Sequence, residues 1–139
     1  YPDRIAAGMA LCGGTSLKDV SGLGRLPFWI IHGTADRAVP VSKSKTVVES
    51  LKRDGNDTRL LYDWLKGANH GAPARVFYLR KTYEWLFSHS LLDKDRPARR
   101  DMTIGLDDLR RAYGDVRRNA GAPELIEGPS VIKGEGHEY

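Results

Sequence analysis

Ile31-His32-Gly33-Thr34-Ala35-Asp36-Arg37-Ala38-Val39-Pro40 closes an apolar run that begins at Pro27. Residues 27–33, PFWIIHG, are rich in aromatic and β-branched side chains, and Gly33 permits a tight turn where the run ends. Two further runs resemble it: residues 5–12, IAAGMALC, closed by Gly13-Gly14, and residues 58–65, TRLLYDWL, preceded by the turn signal Asp54-Gly55-Asn56. All three are continuous more than alternating, the pattern of strands covered on both faces of a parallel sheet.

Helical spacing separates and follows these runs. From Pro40 to Arg53 the apolar positions are Val41, Val47, Val48 and Leu51, with Gly55 placed to cap the end. From Ala74 to Ser88 the stripe is Val76, Leu79, Tyr83, Leu86 and Phe87. Residues 13–26 carry only a weak sign of a short helix. The order strand, helix, strand, helix with short links is a βαβ unit. The expected fold class is therefore α/β: about three parallel strands with flanking helices. A C-terminal helical and irregular extension follows. The boundary is set at residues 1–92 for the sheet domain and 93–139 for the extension. Within the extension, residues 93–101, DKDRPARRD, read as a linker. Leu106, Leu109, Tyr113 and Val116 lie on one stripe of a short amphipathic helix over 105–118, and an irregular tail follows from Asn119.

Of the 139 residues 40% are apolar and 29% charged, which excludes collagen, a coiled coil and wholesale disorder. No apolar run approaches the roughly 20 residues of a membrane helix. The 22 basic residues exceed the 18 acidic ones only modestly, and the basic pairs Arg99-Arg100, Arg110-Arg111 and Arg117-Arg118 have acids nearby. A nucleic-acid surface concentrates its charge, so none is expected. Cys12 is the only cysteine, which excludes an intrachain disulfide and leaves thiolate zinc sites short of ligands. The histidines are dispersed without HExxH spacing, so no metal site is expected and no cofactor is implied.

Functional groups collect beyond the carboxyl ends of strands in open parallel sheets. Asp36 sits there after the second run. Lys66-Gly67-Ala68-Asn69-His70-Gly71-Ala72-Pro73 places His70 at the matching position after the third. If the two strands are parallel neighbours, Asp36 and His70 share one sheet edge. The carboxylate can then accept the imidazole Nδ1–H and leave Nε2 as a general base. His32, Gly33 and Gly71 are supporting positions, His32 by a hydrogen bond to the Asp36 loop. Cys12, at a strand end, reads as a small buried apolar residue. Trp29, Trp64 and Trp85 read as core. His89 closes a helix, and His137 lies in the tail.

HGTADRAVPVSKS followed by GANHGAP resembles the C-terminal half of α/β-hydrolase serine hydrolases, in their esterase and peptidase-like branch. YPDRIAAGMALCGG also resembles the stretch that follows the nucleophile helix there. The likeness covers roughly residues 1–90 and implies Asp36 as the triad acid and His70 as the triad histidine. No Gly-x-Ser-x-Gly occurs in this sequence. Ser16, Ser42 and Ser44 lack the strand-to-helix setting of a nucleophile. The resemblance thus implies that the nucleophile lies upstream of Tyr1, and that this chain is the back portion of a hydrolase domain. By itself the chain is expected to be inactive. The implied reaction is hydrolysis of small-molecule carboxylic esters, with a peptidase of the same fold, or a non-catalytic binding or assembly module, as alternatives. The expected partner is the missing N-terminal portion of the domain, or a second copy pairing through the apolar edge of residues 5–12.

Overall fold

The computed structural model describes residues 1–96 and 101–119, and side chains as far as residue 114. Three strands form one parallel sheet in the order β1 (Gly8–Leu11), β2 (Phe28–Gly33) and β3 (Leu60–Leu65). Leu11 pairs with Ile31 and Gly33 with Leu65, so all three strands end at one edge of the sheet. The first strand is shorter than its apolar run: Ile5 is exposed and Ala6 and Ala7 precede the pairing.

Strand β2 is central, and its side chains alternate between two cores. Trp29 and Ile31 join Leu61, Leu65, Val76, Trp85, Ile104 and Leu109 on one face. Ile30 joins Val47, Val48, Leu51 and Leu60 on the other. Both faces of β2 are dry, which is why its sequence is continuously apolar.

Helix α1 (Ser42–Arg53) crosses between β2 and β3 and buries Ser44, Val47, Val48 and Leu51, positions i, i+3, i+4 and i+7 of one stripe. Ser44 is the member of that stripe that an apolar count omits. Asp54 follows the helix, and Gly55, at φ +68, turns the chain away from it.

The single helix expected over 74–88 is two elements. A 3₁₀ segment, Ala72–Tyr78, is followed by α2 (Arg80–Phe87), and Leu79 between them is extended at φ −95, ψ 125. The break has a geometric cause. Val76 and Trp85 are both fully buried in the same core. Nine residues apart on one α-helix, they would face about 180° away from each other. Interrupting the helix at Leu79 brings both inward. The phase then shifts: Thr82 and Trp85 are buried, while Tyr83 and Phe87 of the expected stripe are exposed. The Thr82 hydroxyl donates to Val76 O at 2.6 Å and ties the two pieces together.

Helix α3 (Leu106–Asn119) packs on the 3₁₀ segment. Leu109 is fully buried and Tyr113 nearly so, as the stripe predicts, and the Arg75 guanidinium lies 4.3 Å over the Tyr113 ring. The Val116 side chain, most of the 93–101 linker's basic half (97–100) and the tail from residue 120, including His137, lie outside the described residues. Asp63 on β3 draws the segment before α3 onto the sheet. It accepts from Trp29 Nε1 at 2.7 Å, from the Thr103 hydroxyl at 2.5 Å and from Ile104 N–H. Ile104 and Leu109 therefore share one core with the strands. No helix among the described residues is long and apolar enough to cross a membrane.

Candidate active site

The register of the sheet assembles the site. Beyond the paired strands, Thr34 N–H donates to Leu65 O and Ala35 N–H to Ala68 O, so the loops after β2 and β3 stay zipped past the last strand residues. Gly33 makes this approach possible. A Cβ there would lie 2.3 Å from Ala68 O. Gly67 turns at φ +74, with its N–H on the Thr34 hydroxyl. Asn69 Oδ1 then accepts from Gly71 N–H and Ala72 N–H at 3.1 Å each, folding the chain back beneath His70.

This geometry brings Asp36 and His70 together. His70 Nδ1 lies 2.7 Å from Asp36 Oδ2. The Asp36 side chain is fully buried, and the His70 side chain is 50% exposed. Asp36 Oδ1 accepts the N–H groups of Ala38 and Val39, both at 2.8 Å. Burial pushes the Asp36 carboxyl up, but the Val39 N–H, the His70 ring and the Ala38 N–H together outweigh it. The result lies below the ordinary carboxylate range. The acid is thus charged and fixed in plane. With Nδ1–H donated to it, Nε2 is the ring nitrogen left to accept a proton.

His32 is placed where the sequence expected support for the acid, fully buried on the inner side of the loop. Its Nε2 lies 2.8 Å from Val39 O and 3.1 Å from Asp36 Oδ2, and its Nδ1 lies 2.7 Å from Ser44 Oγ. Gly33 and Gly71 are both buried. His89 is elsewhere, its ring edge-on to Trp85 in the core that also holds Trp29. Trp29 and Trp85 are fully buried and meet edge to face at 5.2 Å, whereas Trp64 is half-buried beside Tyr62. Ser16 and Ser42 are exposed, and Ser44 is buried in α1.

Cys12 is buried as expected, but it is more than filler. It adopts φ +51 at the end of β1, and its thiol donates to His70 O at 3.1 Å. Burial pushes this thiol up to about 11; a Gly33 backbone hydrogen bond opposes the shift, and the nearby Asp36 charge adds to it. That is an inert thiol, not an activated nucleophile. Nothing in the sequence announced its position, because a left-handed turn normally shows itself as glycine and here Gly13 follows instead. Donor atoms of Cys12, Asp36 and His70 lie within 4.8 Å of one another. Each is already committed: the thiol to a carbonyl, the imidazole to the carboxylate, and the carboxylate to backbone and ring N–H groups. A metal ion would have to replace those bonds.

Comparison with known proteins relates the chain to a family and to solved structures. The model of the prolyl oligopeptidase family matches residues 17–92, the segment that carries both Asp36 and His70. Among solved structures, a thermostable esterase is similar with a TM-score of 0.58 and 26% sequence identity. The likeness covers 65% of this chain and 26% of that one, so the chain spans about a quarter of the esterase. No curated protein matches the chain.

Proposed function

This chain belongs to the prolyl oligopeptidase family, and from that premise we propose that it supplies the acid, Asp36, and the base, His70, of a serine hydrolase. Its sheet is part of an α/β-hydrolase fold. The observation that carries the proposal is the 2.7 Å contact between a fully buried carboxylate and the Nδ1 of a half-exposed imidazole, at the carboxyl edge of a parallel sheet.

The chemistry follows from that pairing. A serine from a segment outside this sequence would present its hydroxyl to His70 Nε2. His70 takes the proton as the serine attacks the substrate carbonyl, and Asp36 stabilises the imidazolium without itself being protonated. The imidazolium then returns the proton to the leaving group, and water activated by the same nitrogen releases the acyl group. The half-exposed ring is accessible to both partners, while the buried acid works where charges are weakly screened.

We assign small carboxylic esters as the substrate class, supported by the likeness to a thermostable esterase. The family match favours a second reading, a peptidase acting on the same carbonyl chemistry. Labelling of the full-length protein with a fluorophosphonate, followed by rates on p-nitrophenyl esters and on peptide anilides, tests both. The expected result is labelling of one serine outside this chain, abolished in His70→Ala, with esters preferred. Asp36→Asn should lower turnover by about 10⁴-fold. Near-normal turnover in either variant would remove the assignment of acid and base, and a preference for the anilides would select the peptidase.

A further inference from the structure

His32 has no exposed surface, and both of its ring nitrogens are engaged. Nε2 faces Val39 O at 2.8 Å and Asp36 Oδ2 at 3.1 Å. A carbonyl has no proton to give, and the Asp36 carboxyl is held in its charged form, so the proton on this side belongs to Nε2. Nδ1 faces Ser44 Oγ at 2.7 Å, and the same oxygen lies 2.6 Å from Gly13 O. A hydroxyl has one proton. Two oxygens 2.6 Å apart need a proton between them, and the Gly13 carbonyl has none, so the Ser44 hydroxyl donates to Gly13. The Nδ1 contact then has a proton only if the ring supplies it.

We infer that His32 is a buried imidazolium, protonated on both nitrogens, and that it is the positioning residue of the acid. It ties three pieces of chain: the end of β1 through Ser44 and Gly13, helix α1 through Ser44, and the acid loop through Val39 and Asp36. Among the titratable groups around it, Asp36 touches it directly. His70 shares the Asp36 Oδ2 atom with it, and Cys12 approaches Asp36 from β1. Its register partner on β3, Trp64, does not titrate. A carboxylate without solvent is costly unless paired, and the cation beneath it supplies the pair. One acid therefore serves two imidazoles, a fully buried one below and the proposed base above.

The catalytic consequence rests on the reading of Asp36 and His70 as acid and base; the protonation state does not. Ring ¹H–¹⁵N spectra of the ¹⁵N-labelled full-length protein at pH 7.5 read it directly. Both His32 nitrogens are expected to carry protons. A bare ring nitrogen at His32 would overturn the inference. Ser44→Ala removes the acceptor of Nδ1–H while leaving the ring in place, and it should convert His32 to the Nε2–H form at the same pH. An unchanged spectrum in that variant would equally overturn it. In turnover, His32→Gln should lower kcat by about 10²-fold with KM within a factor of about two, because the acid is displaced and no substrate contact is lost. The acid limb of its pH profile should move to higher pH, because a neutral residue no longer competes for the carboxylate. A KM effect in place of a kcat effect would overturn the positioning role. Doubly protonated His32 in a protein without hydrolase activity would remove the catalytic reading and leave the buried ion pair standing.

Discussion

Replacing Gly33 by alanine tests whether close packing of two loops sets the acid–base distance. An added Cβ would lie 2.3 Å from Ala68 O, 2.7 Å from the Ala68 carbonyl carbon and 2.8 Å from Asn69 O. These are main-chain atoms, so no side chain can rotate out of the way. An ordinary carbon–oxygen contact is about 3.3 Å, so the two loops must part by about 1 Å. That movement strains the Ala35 N–H to Ala68 O bond, which lies at 3.0 Å. It also carries His70, two residues beyond Ala68, away from Asp36. From 2.7 Å, a shift of about 1 Å leaves the pair outside hydrogen-bonding distance. The expected cost is about 1–3 kcal/mol of stability, typical of overpacking, together with about 10²-fold in turnover. Gly22 is the control, because a Cβ there meets nothing within 4 Å. Urea unfolding and ester hydrolysis of both alanine variants in the full-length protein are the assays. Wild-type stability and turnover in Gly33→Ala would refute the account of how the loops are spaced.

Three further outcomes follow from the geometry. Asp63→Leu strands the buried Trp29 Nε1–H and frees Thr103 and Ile104 from the sheet; it should cost about 1–3 kcal/mol by chemical denaturation, and a change below about 0.5 kcal/mol would contradict the role given to Asp63. The Asp36 carboxyl lies below its ordinary value, so around pH 4 the unfolded chain binds more protons than the folded one. Its contribution to stability is complete above the unfolded value of about 3.9 and is lost as pH falls through the lower folded value; the stability gap between wild type and Asp36→Asn should therefore narrow below about pH 4, and a gap independent of pH would count against the assignment. Cys12, with its thiol pushed up to about 11, should react with iodoacetamide at pH 7.5 about 10²-fold more slowly in the native protein than in the denatured one, as followed by mass spectrometry; equal rates would show the thiol to be neither buried nor raised.

The parallel sheet was legible because β2 is buried on both faces. A strand of that kind has no polar side, and PFWIIHG has none apart from His32, which is itself buried. The pairing of Asp36 with His70 was legible because two loops at equivalent strand ends must meet if the strands are neighbours, and β2 and β3 are. The interruption at Leu79 was not. Spacing alone favoured Tyr83 and Phe87 as inward positions, and only the need to bury Val76 and Trp85 together sets the other phase. Ser44 was missed for a related reason. An apolar count discards a serine on a buried stripe, and its partners, His32 and Gly13, lie 12 and 31 residues away. Cys12 gave no local sign of its left-handed backbone or of its contact with His70 O, 58 residues on.

The acid loop has a logic that neither the strand pattern nor the resemblance contains. The two oxygens of Asp36 are served from different sources. Oδ1 takes its partners from the loop's own backbone, two and three residues on, so the turn itself orients the carboxylate. Oδ2 takes its partners from two side chains, His32 from below and His70 from above. Local hydrogen bonds thus orient the group independently of its long-range contacts. The long-range contacts then determine what it orients. A carboxylate held only by His70 would follow that ring as it moved, since the ring is half exposed. Anchored by two backbone N–H groups and by a ring with no exposed surface, it instead defines the direction the exposed ring must face. The rigidity of the pair therefore resides in the buried half, and the freedom to meet a substrate is left to the exposed half.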